Sequence, residues 1–283
     1  MSILSEFLHN HGPQNGWGTF FTAAFGAFAG AFAASRAHNK RALVAELNAL
    51  NAAHELSVAI ANNFLAFKRQ IALPLKTEFE RIKSAYASYQ NNNKNKSLFQ
   101  FTIDHRSLTA LATPHAALEK MVFEKTLMRG RGLAALVTLV GTIDGLGIAI
   151  KTRNELVEEH RSKQRNDRER LEFFLGLRTA AGVMDARFPT NLEAIVEQTD
   201  FCVFYAKTLA TDLARYSNDL RWKEGWLYRL RVPRIDATDW SHAERLGLMP
   251  KDADYQNWLR GFQPRPMRWL RFLASFKLKN DAE

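Results

Sequence analysis

GWGTFFTAAFGAFAGAFAA, residues 16–34, decides how this chain is organised. It lies inside residues 12–35, a run without a single charged side chain. The 18 residues 17–34 are apolar or small, close to the length a helix needs to cross a bilayer. At 3.6 residues per turn they sort into two faces. Thr22, Gly26, Gly30 and Ala34 recur every four residues, a small-xxx-small row that admits a second backbone at close range. Phe21, Phe25, Phe28 and Phe32 fall on the opposite side. The pattern predicts a transmembrane helix over residues 17–35, with the small-residue row as its association surface. Two other readings compete. The run could be a core helix, because Ala and Gly are weakly hydrophobic and the mean hydropathy of the chain is −0.28. It could be a signal peptide cleaved at Ala31-Phe32-Ala33, but the basic region such peptides carry is missing.

Charge gives the span a direction. The first 35 residues hold no Lys or Arg, and Arg36, Lys40 and Arg41 follow at once. The positive-inside rule then puts residues 1–16 outside as an extracytoplasmic tail and everything after the span in the cytoplasm. The expectation is a single-pass protein of a bacterial-type inner membrane. The sole cysteine, Cys202, suits a reducing compartment, since one thiol forms no internal disulfide.

A second apolar run, GLAALVTLVGTIDGLGIAI at residues 132–150, complicates this topology. It contains Gly141-x-x-x-Gly145 but also Asp144, and a carboxylate at mid-span costs about 2.5–3.5 kcal/mol. Its C-terminal flank is basic, so a second crossing would carry those charges outside. We read it as a buried helix of a cytoplasmic bundle, with a second span as the alternative.

The rest of the chain reads as all-α. Leu43, Leu47, Leu50, His54, Ser57, Ala61 and Phe64 keep heptad spacing, degraded at His54 and Ser57. Pro74 is expected to end or kink that helix. Leu75, Phe79, Ile82, Tyr86 and Tyr89 repeat the spacing beyond it. Residues 91–97 (NNNKNKS) read as a loop, and residues 98–103 as a short strand or connector. Thr113-Pro114 looks like a helix start, and helix is expected through residue 170 with a break near Gly130 and Gly132. Phe188-Pro189 breaks it. Thr190-Asn191-Leu192-Glu193 then reads as a capping box for a helix running to about Trp222. These elements predict a helical bundle over residues 36–223 with coiled-coil-like segments.

Residues 224–283 form a basic, Trp-rich region of short helices, cut by Pro233, Pro250, Pro264 and Pro266. Near the end, Trp269 and Phe272 sit on an apolar face flanked by Arg265, Arg268, Arg271 and Lys277. That combination suits contact with a membrane surface. Packing on the bundle and contact with nucleic acid are the other readings of it. The net charge of +10 fits an anionic leaflet as neighbour.

Chemistry is sparse. The chain has no phosphate-binding loop, dinucleotide fingerprint, zinc-protease motif or nucleophile elbow. No cofactor or metal site is predicted; His9 and His11 are two imidazoles in a tail. One constellation stands out: Arg153-Asn154, five residues, then His160. It resembles the R-x4–6-H signature of HEPN-type ribonucleases, which are all-helical proteins common in prokaryotic conflict systems. The likeness spans eight residues of 283. It implies that Arg153 would hold a phosphate while His160 exchanges a proton. The expected role is nevertheless non-enzymatic: a membrane-tethered scaffold or interaction protein that forms homo-oligomers and holds an unidentified protein partner. A tethered ribonuclease, and a two-span or pore-forming effector, remain the alternatives.

Overall fold

A computed structural model describes residues 13–92, 99–102, 106–163, 166–179, 182–223 and 234–263, with side chains from residue 23 onward. The expectations for His9, His11, Ile103, the loop over residues 93–97, and the membrane-surface residues Arg265, Arg268, Trp269, Arg271, Phe272 and Lys277 lie outside the described residues, as does the Thr22 side chain.

The described chain is helical: α1 (Pro13–Phe67), a π-helical turn (Lys68–Ala72), α2 (Leu73–Asn92), α3 (His115–Lys125), α4 (Arg131–Ser162), α5 (Asp167–Leu175), α6 (Arg187–Lys223), α7 (Ser241–Arg245), a 3-10 turn (Asp252–Tyr255) and α8 (Gln256–Arg260). The described residues hold no strand; one isolated bridge joins Arg178 to Met184. Residues 99–102 are an extended connector.

Three long helices make the bundle, with α6 packed along both α4 and α1 and α3 laid on α1. The heptad row of α1 supplies its share of the core. Leu47, Leu50, Ala61 and Phe64 are buried there, and so are His54 and Ser57. The two polar residues therefore do not degrade the seam. The Ser57 hydroxyl donates to the Ala206 carbonyl at 2.9 Å, and His54 Nε2 shares a hydrogen bond with the Thr238 hydroxyl at 3.2 Å. The Ser57 hydroxyl and His54 Nε2 each reach a partner from a distant part of the chain, which makes the burial of these two atoms tolerable.

The second apolar run forms the first two-thirds of α4, antiparallel to α6. Ala135, Leu136, Leu139, Ile143, Leu146 and Ile150 face the core, each worth about 1–3 kcal/mol of apolar burial. Asp144 lies on the exposed side with Val137, Gly141 and Ile148. Gly145 faces α6, where a Cβ would meet Gln198 Oε1 at 3.1 Å, while Gly141 has open space. The two glycines thus do not act as one row. Among the described helices, α4 is the one long and apolar enough to cross a membrane by length and composition.

Pro74 does not end the helix. A proline lacks the N–H and crowds the carbonyl four residues back, here that of Gln70. The chain absorbs both defects by widening one turn: the Leu73 N–H reaches back five residues to the Lys68 carbonyl, a π-bulge. Helix then resumes as α2, burying Phe79 and Ile82 in a second core cluster with Phe173, Phe174 and Phe188.

Two further boundaries differ from expectation. α4 stops at Ser162 rather than running to residue 170. Asn166 and Glu169 then make a reciprocal capping box for α5, which ends in a Schellman turn at Gly176 (φ 66°). α6 begins at Arg187, so Thr190 is already inside it, and its N–H bonds to the Ala186 carbonyl at 3.1 Å. Pro189 starts this helix rather than breaking one, because first-turn N–H groups have no intrahelical partner to lose.

The described part of the C-terminal region lies on the bundle. Lys68 Nζ donates to the Leu248 carbonyl at 2.7 Å and pairs with Asp200 at 2.5 Å. Tyr255 stacks on Phe204 with ring centroids 3.7 Å apart.

Candidate functional site

The first half of α1 leaves the bundle. Every residue from 23 to 39 is exposed, and packing starts only near Leu43 and Val44, which border the core. From Pro13 to residue 39 the helix extends about 40 Å at 1.5 Å per residue. Phe25, Phe28 and Phe32 are 74%, 71% and 61% exposed. A Cβ placed on Gly26 or Gly30 would meet nothing within 4 Å. Both glycines sit in regular helix, where they cost stability relative to alanine. Neither close packing within this chain nor backbone conformation accounts for them. The expected association residues Gly26, Gly30 and Ala34 therefore stand together on a bare arm, on the helix that also carries Thr22.

Arg153 and His160 share one face of α4 two turns apart. They are 2% and 5% exposed. Arg153 Nη1 donates to the Arg106 carbonyl at 2.7 Å. The His160 ring stacks on Phe173 at 5.3 Å with 10° between the planes. Between them, Asn154 accepts from the Leu108 N–H and donates to the Leu108 carbonyl, both at 2.8 Å. All three residues of the Arg-Asn…His constellation thus pack or fasten neighbouring segments.

Arg153 also lines a cleft of about 850 Å³ that was not legible in the sequence. The π-helical turn and the start of α2 form one wall, through Gln70, Ile71, Pro74, Leu75 and Glu78. The extended segment contributes Thr102 and residues 106–109, and Phe174, Phe188 and Leu192 close the far side. Pro74 is the one visible signal, expected to end or kink the helix, and the structure makes it the neighbour of a widened turn.

Cys202 is fully buried and does not open onto this cleft; burial pushes its thiol up to about 12, so it stays protonated. Among the described residues, no three His, Cys, Asp or Glu side chains converge as a metal site. Searches of protein-family models, curated proteins and solved structures find no match to the chain.

Proposed function

We propose that this chain is a membrane-anchored helical scaffold of bacterial inner-membrane type, which self-associates through its first helix and holds a protein partner with its bundle. The observation that carries this reading is the bare arm of α1. A contiguous apolar surface held away from its own domain marks a site for lipid or another protein. Residues 17–34 would span about 27 Å, against a hydrocarbon core of about 30 Å. Arg36, Lys40 and Arg41 would meet the cytoplasmic headgroups, leaving the N-terminus outside. Ala and Gly contribute little transfer energy, so the phenylalanines and the lack of charge carry the insertion. Continuity of α1 into the bundle would transmit pairing of arms to the cytoplasmic helices. The basic residues near Trp269 would rest on the same leaflet.

Single crossing is preferred for a packing reason. α4 lies along α6, and the facing stretch of α6 carries Glu193, Glu197, Asp200 and Asp212. Inserting residues 132–150 would drag those charges into lipid or strip α4 from its core. A ribonuclease would need Arg153 and His160 open to a phosphodiester, whereas both are buried.

The test is Phe25→Arg in the full chain. The side chain is exposed in the fold, so the bundle should melt unchanged. Insertion should become less favourable by about 2.5–3.5 kcal/mol, and the protein should move from the carbonate-resistant membrane pellet to the supernatant. Retention of the variant in the pellet, at the wild-type level, would overturn the anchor.

A further inference from the structure

The end of the bundle next to the bare arm carries exposed apolar side chains among cations. Glu46 of α1 fixes which parts of the chain reach it. Its carboxylate accepts from the Leu127 N–H at 2.8 Å and from the Tyr216 hydroxyl at 3.1 Å. The turn between α3 and α4, residues 126–130, therefore lies against α1 at this level. α6 runs antiparallel to α1, since Ser57 meets Ala206 whereas Glu46 meets Tyr216. Trp222 stands six residues beyond Tyr216 on α6, about 9 Å nearer the arm and level with residue 40 of α1.

Leu127 and Trp222 are each 70% exposed, and Phe123 is 50% exposed. The turn holds Leu127 outward. Its neighbour Met128 is buried, the Thr126 hydroxyl donates to the Val122 carbonyl at 2.8 Å, and Glu46 occupies the Leu127 N–H. Turning this leucine inward would break those contacts. Lys125 and Arg129 flank it, and Arg36, Lys40 and Arg41 lie on the neighbouring stretch of α1. Among the described residues, the exposed acids at this end are Glu124 and Asp219. Trp and Leu beside Lys and Arg suit a membrane–water interface, where the apolar parts enter the headgroup layer and the cations meet lipid phosphate.

We propose that this end of the bundle lies on an anionic bilayer surface. The Trp222 indole and the Leu127 side chain enter the headgroup layer, and Lys125 and Arg129 face the lipid phosphates. The inference rests on the anchor reading, which sets the leaflet at Arg36, Lys40 and Arg41 and so brings it level with Trp222. The turn sits about 9 Å higher along α1. A tilt of about 20°, usual for spanning helices, lowers one side of the bundle, and the two cations act over a Debye length of about 8 Å.

The experiment uses three full-length chains, each with one introduced cysteine carrying a bimane label: Leu127→Cys, Ile148→Cys and Phe25→Cys. Burial keeps Cys202 protonated, so the introduced thiol takes the label. Ile148 is 67% exposed and lies about 25 Å into α4 from its arm end, so it controls for the dye. The chains are reconstituted in vesicles of phosphatidylcholine, with or without phosphatidylglycerol, carrying a spin label on the headgroup or on the acyl chain. In the anionic vesicles the headgroup quencher should dim the label at position 127 about twofold and leave position 148 unchanged. Quenching at 127 should fall by half or more in neutral vesicles, and equally on adding Lys125→Gln with Arg129→Gln. The acyl-chain quencher should dim position 25 in both. Position 127 quenched no more than 148, while 25 is quenched, would overturn the surface contact and leave the anchor. Position 127 quenched without 25 would overturn the anchor and keep the contact, and no quenching at either would overturn both. Quenching at 127 that ignores phosphatidylglycerol and the double substitution would overturn the assignment to anionic lipid.

Discussion

The side-chain amide of Asn154 satisfies both backbone groups of Leu108, accepting from its N–H and donating to its carbonyl at 2.8 Å each. It does for an extended segment what a neighbouring strand would otherwise do, and it joins the loop before α3 to the middle of α4.

Asn154→Ala should therefore destabilise the fold by about 1–3 kcal/mol, because two half-buried backbone groups lose their partners together. Asn154→Asp should be little better, since a carboxylate accepts from the N–H but repels the carbonyl. Thermal unfolding measures the loss, and limited proteolysis locates it. Cleavage should rise first within residues 106–114. An Asn154→Ala protein that melts with the wild type would show that the segment is held by other contacts.

Lys68 is the second fastening point. It is 5% exposed and joins the π-helical turn to Leu248 and Asp200. Lys68→Met should cost about 1–3 kcal/mol, as the Leu248 carbonyl and the Asp200 carboxylate both lose a donor. Lys68→Met with Asp200→Asn should recover part of that, because no unpaired charge is left. The double-mutant cycle reads the coupling, and zero coupling would mean the pair is not formed.

Gly26→Leu with Gly30→Leu should leave the melting of the bundle within about 0.5 kcal/mol of wild type, as expected for exposed positions outside packed sites. Self-association in membranes, followed by energy transfer between labelled chains, should fall by at least tenfold, because bulky side chains hold the backbones apart. Unchanged energy transfer would move the contact to another surface.

Glu159 provides a pH signature outside the arm. Hydrogen bonds from Arg187 at 3.0 and 3.1 Å, and from Lys163 at 2.6 Å, hold its carboxyl at about 2 instead of 4.5. The unfolded chain takes up this proton near 4.5 and the folded chain only near 2, so the pairing contributes in full above pH 4.5. The contribution fades as the pH falls from about 4.5 to about 2. The stability difference between wild type and Glu159→Gln should be constant from pH 8 to about 5 and shrink toward zero near pH 2. A difference that stays flat across the acid window would rule out this pairing.

Much of the bundle was legible because it rests on periodicity. The row from Leu43 to Phe64 and the row from Leu75 to Tyr89 needed only one spacing rule each, and α4 announced itself by length. His54 and Ser57 were misjudged because their partners, Thr238 and Ala206, lie 184 and 149 residues away. Asn166, which caps α5, was hidden because helix was expected to run on through residue 170, and the capping pattern at Thr190 falls inside α6, since a capping box is a local motif whose use depends on where the preceding chain turns. Arg153 and His160 were visible as types at a spacing, but which side of α4 they occupy depends on what packs there.

The sequence by itself determined the helical class, the charge-free arm with its glycine row and phenylalanine stripe, and the basic flank that would orient it. These are properties of residues three and four apart, where helix geometry converts spacing directly into faces. The tertiary structure decided the rest. It kept α1 and α2 continuous in helix through Pro74 by a π-helical turn, it turned Asp144 outward, and it left residues 23–39 uncovered. It also assembled the cleft around Arg153 from five separated segments. Such features depend on which surfaces meet across more than a hundred residues, and no local pattern encodes that.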